Sequence, residues 1–248
     1  MRKWAFLLLV SAVVLYAMSV WVPLEGFSND VDVRFLSKAE TENFFAADSD
    51  GYFERLSLYD LAARGFNNHN AYWQRSIDSA IEPDASLKER VLKSIHKIMP
   101  FLKTLNLFGV TYDPEIKWTL AFTDGKIYEQ GLPHTREHII FLTPETISPD
   151  ILLHEWIHLY QRKHKTQVQA YLKQQGYNPW RLRAGYPRIR ANPDLDEYIY
   201  MHPNKEWMLY VYDENPKNIN DILRAPIGHR HEHPYEEAAY EIVEAYKK

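Results

Sequence analysis

The run Ser148-Pro149-Asp150-Ile151-Leu152-Leu153-His154-Glu155-Trp156-Ile157-His158-Leu159 decides how this chain is read. Ser148 can cap a helix, Pro149 suits its first position and Asp150 complements the positive helix end, so a helix starts at about Pro149. On that helix His154 and His158 project from one face, a turn apart, close enough to bind one ion. Glu155 lies roughly 100° around the axis from His154, so it can approach a water beside the ion without becoming a ligand. The string is only moderately specific by itself. Its apolar neighbours sharpen it, because burying two imidazoles and a carboxylate without partners is costly and a metal removes that cost. The plainer alternative is a pair of satisfied core histidines beside a surface glutamate.

A metal held by three residues with one position left for water needs a third protein ligand. The segment His233-Pro234-Tyr235-Glu236-Glu237-Ala238-Ala239-Tyr240-Glu241 offers one, since two glutamates open a helix whose alanines permit close packing. Taken together, these two segments resemble the gluzincin-type zinc metallopeptidases, in which the His-Glu-x-x-His helix is followed by a second helix supplying a glutamate ligand. In several such families alanine follows that glutamate three positions later, and Glu236 with Ala239 matches. Glu237, with Glu241 four residues on, is the alternative. The separation between His158 and Glu236 is long for the better-known gluzincins, so no particular family is implied.

The resemblance implies a zincin-like α+β domain with Zn2+ on His154, His158 and Glu236, and with Glu155 as general base. Zinc would bring the pKa of a water toward about 7, and Glu155 would take its proton as a polarised carbonyl is attacked. Tyr235 and Tyr240 are candidates to stabilise the developing oxyanion, since a phenol can donate to it. His229, His231 and His233 alternate, and on a strand they would share one face and could bind a metal themselves. Otherwise they form a solvated loop, or one of them lines the site.

The expected activity is hydrolysis of a peptide bond, with the peptide or protein substrate paired along an edge strand of a small sheet beside the metal helix. Two rivals are a tethered binding or envelope protein with a structural or inactive metal site, and a zinc hydrolase acting on another amide or an ester.

Around this centre, Asp84 to Leu105 repeats its apolar residues at helical spacing, with Pro100 expected to kink or end the helix. Shorter helices are expected over Leu56–Ala63 and Ala71–Ile81, and another from Thr166 to about Gly176. Ile116–Thr123 and His138–Leu142 read as strands, with a turn at Asp124-Gly125. His134, Arg136 and His138 precede or begin the second of these strands, where they could contact substrate, but they are expected as exposed loop residues. The stretch from Pro179 to Asn204 has no clear periodicity and is expected as ordered loop; its Arg181, Arg183, Arg188 and Arg190 form a basic run with Trp180, Tyr186 and, just ahead of the stretch, Tyr177. A helix is expected from Pro234 to the C-terminus.

The chain has 248 residues, 46% of them hydrophobic and 25% charged, which is globular composition. A net charge of -4 excludes a global electrostatic case for nucleic acid, so the arginine run is assigned to salt bridges and loop packing. With no cysteine, any metal must rest on His, Asp and Glu. Arg2 and Lys3 precede an uncharged stretch from Trp4 to Val22, ended by Pro23 and Glu25. Residues 1–23 are therefore expected to form a hydrophobic helix. It serves as a signal anchor or, with small Ala17 and Ser19 at suitable spacing, as a cleaved signal peptide. Either way residues 24–248 are exported, tethered to the membrane or released. A core helix is the alternative, but the segment has no polar face.

Overall fold

Ser37-x-x-Glu40 is a capping box, with each side chain bonded to the other residue's main chain, and it opens a helix absent from the expectations above: α1, Lys38–Ala47. The computed structural model describes residues 31–224 and 231–248. The proposed targeting segment and His229 lie outside them. Ahead of α1 runs a short strand, β1 (Val33–Phe35). Then follow α2 (Leu58–Ala63), α3 (His69–Asp78) and α4 (Ala85–Lys103), each started by an Asx or Ser cap: Ser57, Asn68 and Asp84. α4 runs one turn beyond Pro100 rather than stopping there.

A small hairpin, β2 (Asn106–Leu107) with β3 (Val110–Thr111), leads to β4 (Trp118–Phe122), all five residues of which are buried. A turn and a tight 3-10 segment over Tyr128–Gly131 return the chain to β5 (His134–Arg136) and β6 (Ile139–Leu142). These strands form a four-stranded sheet in the order β1-β4-β6-β5. β1, β4 and β6 are parallel, and β5 is an antiparallel edge paired Thr135 to Ile140 with β6. Burial of β4 and β6 along their whole length explains why they read as continuous apolar runs. One aromatic-rich core on this sheet joins Phe45, Phe53, Tyr72, Tyr128 and Phe141.

Across from β5 and β6 packs α5 (Pro149–Lys163), followed directly by α6 (Lys165–Gln174). The stretch expected as loop is instead partly sheet: β7 (Asn178–Leu182), β8 (Tyr198–Met201) and β9 (Trp207–Met208) form an antiparallel meander. All five residues of β7 are exposed, so it carries no alternating apolar signal, and its register shifts between Pro179 and Arg181. A two-stranded unit follows, β10 (Tyr210–Tyr212) with β11 (Ile222–Arg224). The last helix, α7 (Pro234–Tyr246), packs against α5. This is an α+β architecture with a small sheet beside the motif-bearing helix. Among the described residues no helix is long and apolar enough to cross a membrane.

Candidate metal centre

Both helices that build the centre begin as their sequences dictate. Ser148 accepts from the Ile151 N–H with Pro149 in the first helical position, and Arg162 and Lys163 lie in the last turn of α5, where the dipole favours cations. In α7 the imidazole of His233 caps the Tyr235 N–H, again with proline first. Buried Ala238 and Ala239 remove side-chain bulk from this helix, and the two helices approach closely enough to bring Glu236 onto the histidine face of α5.

His154 Nε2 lies 3.3 Å from Glu236 Oε2, His158 Nε2 lies 3.7 Å from Glu236 Oε1, and the two Nε2 atoms are 3.0 Å apart. One donor atom from each of the three residues thus falls within 4.8 Å of the others, a cluster that can hold a metal ion. The ring orientation of His158 is set from behind. The Gln161 amide nitrogen donates to the Tyr235 carbonyl at 3.0 Å, which leaves its oxygen to accept from His158 Nδ1 at 2.8 Å. His158 therefore carries its proton on Nδ1 and presents an unprotonated Nε2 toward His154 and Glu236. Glu236 is steadied in a similar way, its Oε1 accepting from Asn192 at 2.9 Å. The same amide reaches Glu232, which is ion-paired to Arg190.

The electrostatics of the cluster are unbalanced. Burial draws His158 down to about 3, against the pull of Glu236. Burial also pulls on His154, but the hydrogen bond and charge of Glu236 outweigh it and hold that imidazole above its ordinary value. Burial pushes Glu155 far above the carboxylate range, and the nearby charges of Asp194 and Glu236 add to this. Its Oε2 is buried without a hydrogen-bond partner. Asp194 is likewise raised, to about 6, by burial and by Glu236. A cation at the cluster would offset each of these penalties at once.

A cavity of about 490 Å3 opens on this centre and is lined by His154, Glu155, Glu236, Asp194 and Tyr240 among others. The Tyr240 ring lies edge-on to His154 at 4.8 Å and stacks on His231 at 4.6 Å. Tyr235 does not line the cavity; its ring sits against His233, 4.6 Å away, on the other side of the helix start. Glu237 also points elsewhere, 3.7 Å from His202. His231 and His233 share no strand face: His231 lines the cavity, whereas His233 donates from Nε2 to Asp196 at 3.1 Å.

His134 and Arg136 are buried in β5, contrary to the exposed loop expected of them, while His138 is exposed. Their polar atoms are paired at close range: His134 with the Tyr128 hydroxyl and Arg136 with Asp48 and Asp50. In the arginine run, Arg183 pairs with Asp60 and Glu197, and Arg190 with Glu232, as salt bridges and loop packing require.

The residues that sequence reasoning missed are Gln161, Asn192 and Asp194. Gln161 follows His158 by three positions, a spacing that puts it on the same helix face. Asn192-Pro193-Asp194 carries a turn signal, but only the fold shows what the turn touches. Asp194 Oδ1 accepts from both the N–H and the hydroxyl of Thr135, and Arg162 donates to the Thr135 carbonyl. The outward main-chain groups at the centre of the edge strand are thereby occupied. The added-strand mode of substrate pairing expected from the sequence is blocked at this residue.

Comparison with family models, with curated proteins and with solved structures finds no match to this chain. The chemistry of the site carries the functional argument alone.

Proposed function

We propose that this protein is a zinc-dependent hydrolase cleaving amide bonds, most simply a peptidase. His154, His158 and Glu236 would hold the metal, and Glu155 would carry the proton. The observation behind this reading is the buried, unpartnered Oε2 of Glu155 beside two imidazoles and a carboxylate whose donor atoms converge. Two nitrogens and one oxygen suit zinc, and a set of three ligands among the described residues suits a catalytic site, which keeps a position open, better than a structural one. Zinc held there would supply Lewis acidity, polarising a carbonyl and making a water beside it more acidic.

The chain's own residues do the rest. Glu155 lines the cavity and accepts the proton of the attacking water on its carboxylate, then returns it to the leaving amine. Tyr240, beside His154 and on the cavity wall, is the phenol placed to donate to the carbonyl oxygen as charge develops. Gln161 keeps the proton of His158 off the ligating nitrogen, and Asn192 holds the Glu236 carboxylate. An export signal over residues 1–23 would deliver this activity outside the cytoplasm.

The test is zinc content of the purified full chain together with release of products from a peptide and small-amide library. About one zinc per chain is expected, and Glu155→Gln should keep the zinc while losing about 10²- to 10⁴-fold in turnover. A folded protein that takes up no zinc, or a Glu155→Gln variant as active as the parent, would sink the proposal.

A further inference from the structure

The cavity is lined by seven carboxylates and only three fixed cations. Each cation is already committed: Arg64 to Glu129, Arg190 to Glu232, and Lys247 shared between Asp150 at 3.3 Å and Glu244 at 3.1 Å. A divalent ion with Glu236 among its ligands offsets part of the remaining charge. Asp194 lines the cavity, 8% exposed, with its Oδ1 fixed by the two hydrogen bonds from Thr135. The fixed cation Arg162 reaches it only through the shared Thr135 hydroxyl, to which its Nη2 donates at 2.9 Å, and no cation is within ion-pair distance of Asp194 among the described ion pairs. An excess of buried negative charge around a small-ligand-sized space selects for a positively charged guest.

The second observation is steric. With the Thr135 N–H and carbonyl taken by Asp194 and Arg162, a long extended chain cannot pair with β5 at this residue, which favours a short guest held in the cavity over one added to this edge. We infer that the guest is a short amide carrying a protonated amine within about a residue of the scissile bond, and that Asp194 receives the ammonium. This rests on the hydrolase reading for the word substrate, although the binding claim stands apart from it. Asp194 lines the same cavity as Glu155 and His154, so an amine seated on it shares that space with the reacting centre.

Calorimetric titration of the full chain, zinc-free and zinc-loaded, with leucinamide, N-acetyl-leucinamide, Nα-acetyl-lysinamide and a decapeptide blocked at both ends tests this. Leucinamide should bind about tenfold tighter than its acetylated form in both states, the value of one charge-assisted contact. The preference should shrink as salt is raised. Asp194→Asn, which keeps an oxygen for Thr135, should abolish the preference while retaining zinc stoichiometry. Tight binding of Nα-acetyl-lysinamide instead supports the same recognition with the amine on a side chain. Equal binding of acetylated and free amines by the unaltered protein, or an unchanged preference in a folded Asp194→Asn, overturns it. Cleavage inside the blocked decapeptide overturns this inference and leaves the hydrolase reading standing. Amine preference without cleavage of any amide does the reverse.

Discussion

Arg64 and Glu129 line the same cavity as Glu155 and Glu236, yet the two pairs of buried groups differ in how their charge is met. Glu129 Oε1 accepts from Tyr52 and Tyr72, each at 2.7 Å, and from Arg64 Nε at 2.8 Å, while Oε2 pairs with Arg64 Nη2. Arg64 spends its other donors on the Asp60 carbonyl and on the Tyr52 and Tyr212 hydroxyls. Each charge there meets a counter-charge supplied by the chain itself. Near the histidines the carboxylates outnumber the available cations, and one oxygen of Glu155 meets no donor. The first cluster is complete as folded; the second is one that could hold a metal ion. Buried charge tolerates neither a missing partner nor a surplus one, so a cluster left unbalanced by the protein marks where something else binds.

The completed cluster even carries backbone strain. Glu129 and Gln130 have φ of 46° and 50°, and a side chain at Gly131 (φ 78°) would meet the Gly125 carbonyl oxygen at 2.8 Å. The tight turn that this requires holds Glu129 inward, and the ion pair offsets its cost.

Breaking the complete cluster should have the largest effect. Arg64→Ala leaves Glu129 buried without its counter-charge and should lower unfolding stability by about 3–5 kcal/mol in a denaturant titration. A loss below about 1 kcal/mol, the range of exposed pairs, would mean the two clusters do not differ as described.

Acid attacks the same pair. Burial works to raise Glu129, but Arg64 outweighs it and leaves the carboxyl at about 2 against an ordinary 4.5. Because the folded value is depressed, the stabilisation is fully present above pH 4.5 and disappears as pH falls toward 2, a change of about 3 kcal/mol. The stability gap between the parent and Glu129→Gln should therefore be constant from pH 7 to 5 and narrow steadily below 4.5; a gap undiminished at pH 2.5 contradicts the pairing.

The smallest effect sharpens the other side. Gln161→Leu removes the group that fixes the His158 tautomer and should weaken zinc binding about 10- to 100-fold, measured by competition with a chelator, with little loss of fold. Unchanged affinity would mean that Gln161 does not orient the ligand.

Much of the frame was legible because it rests on local rules. The cap at Ser148, the four-residue spacing of His154 and His158, the apolar runs of β4 and β6, and Pro234 opening α7 are properties of neighbouring residues and need no knowledge of the rest of the chain. α1 carries an equally local signal in Ser37 and Glu40, but its apolar residues form no clear stripe to accompany it. β7 was not legible, since an exposed strand lacks the alternation that burial imposes.

What the sequence by itself determined was a helix with two imidazoles on one face, a carboxylate beside them, and a short list of glutamates from a distant helix. Only the tertiary structure chose Glu236 over Glu237, because adjacent helical residues point about 100° apart and packing against α5 decides which one faces inward. It also turned Tyr235 away from the cavity and left Tyr240 within it. Finally, it brought Asp194 from a remote turn onto Thr135, occupying the edge of the sheet. Contacts between residues far apart in the chain leave no spacing to read, so a charge surplus inside a cavity becomes visible only once the chain has closed around it.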